Sequence, residues 1–326
     1  MTKMIAALTL LVAALVSSSA QAADKALEKV SLRLDWVFGS EFAPIFLAKE
    51  KGFFTAEGID LAILPGQGST VTVKLVGNGD TPFGLAAADQ VLIARSRGLP
   101  VKAITVDLQH SPSAIIFPTS TGIKTLKDLY GHTLGIQFKS ATEKQWRAVA
   151  KFNHIDESKI REVPADEAIA RLIEAKKIDA GVAFYFNDAL KVIADGTPMS
   201  WILFDDHGLP FYSEALIVND SLIKQNPDLV RRFTRAFDKG WSYAITHEQE
   251  TLQSFLRQNP TVDAKYSALK LPEVLKLAQS ADTKAHGFGW SRKEEWASMQ
   301  KSLLEMGLQP QAIDIDQVFT NDYVAQ

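Results

Sequence analysis

From Val30 to Val218, short apolar runs of strand length alternate with runs of helical pattern, and this alternation restricts the chain to an α/β fold. The first unit shows the pattern. Val30 to Trp36 reads as a strand, and Glu41 to Lys51 as a helix with Gly52 past its end. Pro44 falls in the first helical turn, where its missing N–H is tolerated. The strand closes on Asp35 and Trp36, and in an open α/β sheet ligands sit beyond the carboxyl ends of the strands. A carboxylate and an indole at that point suit a flat, hydrogen-bonding small molecule.

The same reading predicts further strands at Ile59–Leu64, Thr81–Ala87, Val101–Asp107, Ser113–Phe117, Thr133–Phe138, Ile178–Phe184 and Glu214–Val218, with helices between most of them. From Asp228 onward the pattern is mainly helical, with breaks near Asn259-Pro260, Leu271-Pro272, Gly287-Phe288-Gly289 and Gly307. Two α/β lobes and a helical C-terminal segment follow. Crossings between the lobes are expected at Pro112–Thr121 and Leu209–Ser213, which makes lobe 1 residues 23–115 with 216–326, and lobe 2 residues 116–215. No internal repeat is visible in the sequence.

With 326 residues, 46% of them hydrophobic, the chain can bury one large core or two modest ones. The formal charge is −3 and no basic run of useful length occurs, so a nucleic-acid partner has no electrostatic footing. Cysteine is absent, which excludes disulfides, thiolate metal sites and a cysteine nucleophile. At the N-terminus, Lys3 precedes an apolar run from Met4 to Val16, and Ala20-Gln21-Ala22 fits a signal-peptidase site. Residues 1–22 are therefore expected to be a signal peptide cleaved before Ala23, because the run is shorter than the ~20 residues of a spanning helix. The mature chain is expected to be exported and soluble.

Several strand ends pass to a helix through small or polar residues: Gly39-Ser40, Gly66-Gln67-Gly68-Ser69, Ala88-Asp89 and Lys139-Ser140. Free backbone N–H groups there favour oxygen acceptors and could floor a cleft; ordinary N-capping by Ser40, Ser69, Asp89 and Ser140 is the competing explanation. Asp35 and Trp36 form the sharper pair. An indole offers a stacking face, and a carboxylate accepts two parallel N–H bonds from an amidine-like edge such as that of an aminopyrimidine. Trp36 as core and Asp35 or Glu41 as helix caps are the alternatives. The candidate ligand-binding set is Asp35, Trp36, Glu41, Gly66, Gly68, Ser69, Asp89 and Ser140 from these turns, with Tyr185 and Asn187 from the run Phe184–Asp188 on the opposite lobe.

Catalytic patterns are weak. The six histidines show no metal-ligand spacing, Gly66–Thr70 is not a Gly-x-Ser-x-Gly elbow, and no P-loop or dinucleotide glycine pattern occurs. No catalytic residue, cofactor or metal is expected.

Leu34-Asp35-Trp36, the segment Ala48-Lys49-Glu50-Lys51-Gly52-Phe53-Phe54, Gly58-Ile59-Asp60-Leu61, Phe83-Gly84-Leu85-Ala86 and Arg97–Val101 occur in an order and spacing found elsewhere. With Gly122–Leu129, Gly131 and Gly135, and with Gly289-Trp290, Trp296 and Val318–Tyr323, the chain resembles the periplasmic substrate-binding proteins of ABC transporters. Within them it is similar to the group that binds thiamine-pyrimidine precursors, related to the eukaryotic hydroxymethylpyrimidine synthases. The resemblance implies a type II periplasmic binding fold, two lobes hinged over a ligand such as hydroxymethylpyrimidine or formylaminopyrimidine, and permease and ATPase partners. It implies that Trp36 stacks on the ring, that Asp35 with Glu41 or Asp89 holds its N–H edge, and that Gly66 to Ser69 offer backbone N–H groups. Two departures stand out: Val37-Phe38-Gly39-Ser40-Glu41-Phe42 replaces a polar Asn- and His-containing loop, and the synthases' cysteine-rich segment is missing. A synthase-like enzyme is thus the lesser alternative. The same fold binding a sulfonate, nitrate or aromatic acid is the other, with Arg33 and Lys139 as the available cations.

Overall fold

The structure, a computed structural model, describes residues 26–165 and 168–324. The expected signal peptide, 1–22, lies outside the described residues.

Among the described residues, ten strands form two five-stranded sheets. The first holds β1 (Glu28–Arg33), β2 (Ile59–Leu64), β3 (Phe83–Ala87), β4 (Val101–Leu108) and β10 (Glu214–Asn219), in the order β2-β1-β3-β10-β4. The second holds β5 (Ser113–Pro118), β6 (Thr133–Ile136), β7 (Arg161–Pro164), β8 (Ala180–Phe184) and β9 (Met199–Leu203), in the order β7-β6-β8-β5-β9. The two orders correspond. In each sheet a parallel trio (β2-β1-β3 or β7-β6-β8) is joined by one strand that runs antiparallel to its neighbour, β10 or β5. The repeat invisible in the sequence is thus present in the topology.

Apolar runs such as Ala114–Phe117 and Ala215–Val218 are continuous because both faces of each sheet are covered. Successive side chains alternate between two cores: Ile116 and Leu216 pack into one, Ile115 and Ile217 into the other. The helix Pro227–Thr246 lies under the first sheet, where Phe233 stacks on Phe83 with ring centroids 3.7 Å apart.

The chain crosses from β4 to β5 through 109–112 and returns from β9 to β10 through 204–213. β5 lies wholly in the second sheet, so the expected lobe boundary at 115/116 falls inside a strand; the crossing ends at Pro112 rather than beginning there. β10 belongs wholly to the first sheet, so the boundary at 215/216 falls within its first residues.

Three expectations about elements change. β7 and β9, the edge strands of the second sheet, were not anticipated: edge strands are partly solvated and lack a continuous apolar run, as Arg-Glu-Val-Pro shows for β7. The helix expected at Glu41–Lys51 is a single 3₁₀ turn, Ser40–Phe42, followed by Ala43–Glu50. The break expected at Leu271-Pro272 is absent, because the helix Ala264–Leu277 runs through Pro272. Leu271, Val274 and Leu275 are all buried, and packing on both sides of the proline holds the two halves in line. The C-terminal segment ends against β4, where the Ala103 N–H donates to Val318 O (2.9 Å) and the Thr320 N–H to Ala103 O (2.9 Å).

Candidate functional site: an acidic interlobe cleft

The carboxyl ends of β1, β3 and β4 and the start of β10 face the strand ends and helix starts of the second lobe across a cavity of about 360 Å³. Asp35, Trp36, Glu41, Gly68, Ser69, Asp89 and Asn187 line it. Gly66, Ser140 and Tyr185 do not.

Trp36 is 55% exposed, so its ring is free of the core and available at the cavity. Asp35 is held in place from the neighbouring turn. The Ala87 N–H donates to Ser69 Oγ (3.0 Å), and Ser69 Oγ donates to Asp35 Oδ2 (3.0 Å). Ser69 is therefore not a helix cap: it is the first residue of the helix Ser69–Asn78, and its hydroxyl orients the carboxylate.

The glycines before Ser69 have a different role from the one their sequence suggests. The Gly66 N–H donates to Trp36 O (2.7 Å) and the Gly68 N–H to Asp35 O (2.6 Å), so both are spent on the Asp35-Trp36 backbone instead of facing a ligand. A Cβ on Gly66 would lie 2.2 Å from Leu34 O, and Gly68 has φ +105°. Gly66 needs glycine because two backbone turns approach each other closely there, and Gly68 because of its positive φ.

On the opposite lobe, Ser140 caps the helix Ala141–Phe152 by accepting from the Glu143 N–H (3.1 Å). Tyr185 is buried, stacked on Trp201 with centroids 4.5 Å apart, and its hydroxyl donates to Glu273 (2.9 Å). The tyrosine's polar tip, which suggested a ligand contact, is satisfied inside the protein. Asn187 lines the cavity, and its Oδ1 accepts from Lys270 Nζ (3.0 Å).

Several residues at the cleft were not singled out from sequence. Ser111, Ser113, Gln145 and Tyr212 line it, with Ser113 Oγ donating to Gln145 Oε1 (2.8 Å). Glu214 also lines it, at 8% exposure. A glutamate opening the apolar strand Ala215–Val218 was the available signal. Lys270, 3% exposed, pairs with Glu41 (Nζ to Oε2 2.8 Å); a lysine on the apolar side of its helix beside Leu271 and Val274 was its signal.

The cavity is acidic. Among the described lining residues are four carboxyl groups (Asp35, Glu41, Asp89, Glu214) and no lysine, arginine or histidine. Burial pushes Asp35 up to about 6, with the nearby Glu41 charge adding to it and the Ser69 hydrogen bond opposing it. Burial raises Asp89 as well. Burial, then the charges of Asp35 and Asp107, lift Glu214 well above the ordinary carboxyl range. Asp107, buried on β4 and not among the lining residues, rises to about 8 through burial and the charge of Asp35.

Arg33 and Lys139, the cations considered for an anion site, do not line the cavity. Arg33 Nη1 donates to Pro65 O (2.8 Å), and Lys139 is an exposed residue of the turn before Ser140.

Two sheets of this order with a cleft at their strand ends define a two-lobe periplasmic-binding-protein fold. The periplasmic aliphatic sulphonate binding protein SsuA from Escherichia coli shares it, with a TM-score of 0.67 and 12% identity over 92% of each chain. More narrowly, the chain belongs to the NMT1/THI5-like family, whose model matches residues 39–251. It is 24% identical to the riboflavin-binding protein RibY of Chloroflexus aurantiacus, over 96% of this chain and 90% of that protein. It is 26% identical to the formylaminopyrimidine-binding protein of Halalkalibacterium halodurans, over 72% of this chain and 71% of that one. A relative from Legionella pneumophila, 26% identical over 91% of this chain and 92% of its own, carries the name 4-amino-5-hydroxymethyl-2-methylpyrimidine phosphate synthase.

Proposed function

We propose that this protein is the solute-binding component of an ABC importer, exported to the periplasm, and that it captures a small heteroaromatic amine of the thiamine-pyrimidine-precursor class for delivery to a permease and its ATPase. The observation that carries this reading is the pairing of Asp35, oriented by Ser69, with the exposed indole of Trp36 in a cavity lined by carboxyl groups and no cationic side chain among the described residues. An aminopyrimidine meets both demands: its ring stacks on the indole, and its N–H edge donates to the carboxylate. A sulfonate or nitrate would meet negative charge without a compensating cation, which is unfavourable in a partly desolvated cleft.

The formylaminopyrimidine-binding relative supports the ligand class, and the binding-protein relatives support a carrier over the synthase activity named for others. In the carrier role, Trp36 stacks on the ring, Asp35 accepts from its amino group, and Asn187 contacts it from the second lobe. Closing of the lobes over the ligand then shifts the protein to the state a permease would recognise.

A second reading has one observation in its favour. Trp36 and Phe184, 55% and 38% exposed, line the cavity from opposite lobes, so a fused ring system longer than a pyrimidine could rest on both. A flavin is such a ligand.

Calorimetric titration of protein stripped by unfolding and refolding separates these readings. Saturable binding of hydroxymethylpyrimidine or formylaminopyrimidine, with none for a sulfonate or nitrate, is the expected result. Binding of riboflavin alone would replace the pyrimidine reading with the flavin one. Binding of the anions alone would overturn both.

A further inference from the structure

Glu214 is more than nine-tenths buried and lines the cavity, and its Oε1 has no hydrogen-bond partner among the described residues. Asp107, whose charge acts on it, is fully buried, and neither of its carboxyl oxygens has a hydrogen-bond partner among the described residues. No hydrogen bond therefore joins the two acids. The one cation among the groups that act on Glu214, Lys270, is already engaged by Glu41 and Asn187. A buried, ionised carboxylate with neither cation nor donor is costly, and such a group takes up a proton instead. The charged and titratable groups that act on Glu214 are Asp35 beyond β1, Asp107 on β4, Glu41 in the turn Ser40–Phe42 and Lys270 on the helix Ala264–Leu277. Three of these four are acids, and burial together with the acids favours the neutral form.

We infer that Glu214 enters the cleft as a neutral carboxylic acid and donates a hydrogen bond to a ring nitrogen of the ligand, while ionised Asp35 accepts one from the adjoining amino group. The two acids then read an acceptor and a donor on the same ligand, the pattern of a ring nitrogen beside an exocyclic amine. A carboxylic acid kept neutral by its surroundings can act as a donor at neutral pH. The inference deepens the pyrimidine reading above and rests on it for the ligand. The protonation state of Glu214 does not depend on that reading.

The test has two arms. The first compares infrared spectra of ligand-free wild type and Glu214→Gln at neutral pH. Asp107, raised to about 8, contributes a protonated-carboxyl C=O band in both proteins; a further component present in wild type and missing from Glu214→Gln is expected, and identical carboxyl bands in the two would overturn the inference. The second measures hydroxymethylpyrimidine affinity calorimetrically from about pH 5 to about pH 9, the span in which perturbed carboxyls titrate. Wild type should weaken on the alkaline side as Glu214 loses its proton. Glu214→Gln, whose amide is a permanent donor, should bind within about threefold of wild type at neutral pH and lose that alkaline weakening, whereas Glu214→Ala should bind about tenfold or more weakly. An unchanged alkaline limb in Glu214→Gln would assign the titration to Asp107 and overturn the donor role. Failure of wild type to bind the pyrimidine at every pH would overturn the pyrimidine reading and the ligand half of this inference, and the infrared band would still decide the protonation state.

Discussion

Lys270 Nζ lies 2.8 Å from Glu41 Oε2, and both side chains are almost completely buried. The lysine comes from the helix Ala264–Leu277 and the glutamate from the turn after β1, so the pair joins the C-terminal helical segment to the wall of the cleft. Because Lys270 also donates to Asn187 Oδ1 (3.0 Å), the same ammonium positions one cavity residue on each side of the opening. It neutralises Glu41 and leaves the other acids of the cavity without a cation of their own.

Removing the lysine should therefore be costly. Lys270→Met strands a buried carboxylate, and breaking a buried pair from one side costs about 3–5 kcal/mol. A lowered midpoint in thermal or urea unfolding is expected, with part of the loss recovered in the double variant Lys270→Met/Glu41→Gln. A single variant as stable as wild type would show that the pair does not hold the cleft wall.

Trp36→Ala should separate binding from stability. The side chain is 55% exposed, so unfolding midpoints should move little, while loss of a stacking platform worth about 1–3 kcal/mol should weaken ligand binding about tenfold or more. Calorimetry reads the affinity and denaturant unfolding the stability. Unchanged affinity would remove the indole from the site.

Gly66→Ala should disturb the Asp35-Trp36 turn without touching a ligand. The added methyl would sit 2.2 Å from Leu34 O, a backbone atom that cannot rotate away. Overpacking of this kind costs about 1–3 kcal/mol, and the displaced Asp35 should weaken binding as well. Both a lower unfolding midpoint and a lower affinity are expected. Gly52→Ala separates overpacking from backbone strain, since Gly52 has φ +73° and open space around its missing Cβ, whereas Gly66 is not among the positive-φ glycines.

The buried acids predict a pH dependence in the ligand-free protein. Asp35 and Asp107 are raised to about 6 and about 8 by burial, and Glu214 is raised by burial and its acidic neighbours. Between the ordinary carboxyl range and these values the folded state holds protons that the unfolded state has released. Stability is then greatest on the acid side and falls as pH rises through each folded value. His110, raised by its hydrogen bond to Asp205, acts in the same direction. The thermal midpoint should decline from about pH 5 to about pH 8, with a shallower slope in Asp107→Asn; a rising midpoint over that span would reverse the assignment.

Lys139→Ala should leave ligand affinity within about twofold of wild type, because loss of an exposed charge outside a site is worth little. Lys139 is an exposed turn residue that does not line the cavity. A larger loss, read by the same calorimetry, would revive an anion-binding site at that turn.

Local chemistry carried much of this protein into view from its sequence. Strand runs such as Ala114–Phe117 and Ala215–Val218 were legible because both sheet faces are buried and each run is continuously apolar. The position of Asp35, Trp36, Ser69 and Asp89 at strand ends was legible because strand-to-helix turns have a recognisable composition, and open α/β sheets put their ligands there. The edge strands β7 and β9 were not legible, since half-solvated strands carry little periodic signal.

What each site residue does is another matter, because hydrogen-bond partners come from distant parts of the chain. Tertiary structure turned Tyr185 toward Glu273, 88 residues away, and spent the N–H groups of Gly66 and Gly68 on the backbone of Asp35-Trp36. It also brought Glu214 to the cavity and set Asp107 and Lys270, from two other elements, where their charges act on it. The α/β class and the strand ends where a ligand belongs follow from local periodicity and turn chemistry, and so stand in the order of residues alone. Which polar groups face the cavity and which are already satisfied is settled on folding, because that depends on long-range pairing and on how far each carboxyl is removed from water.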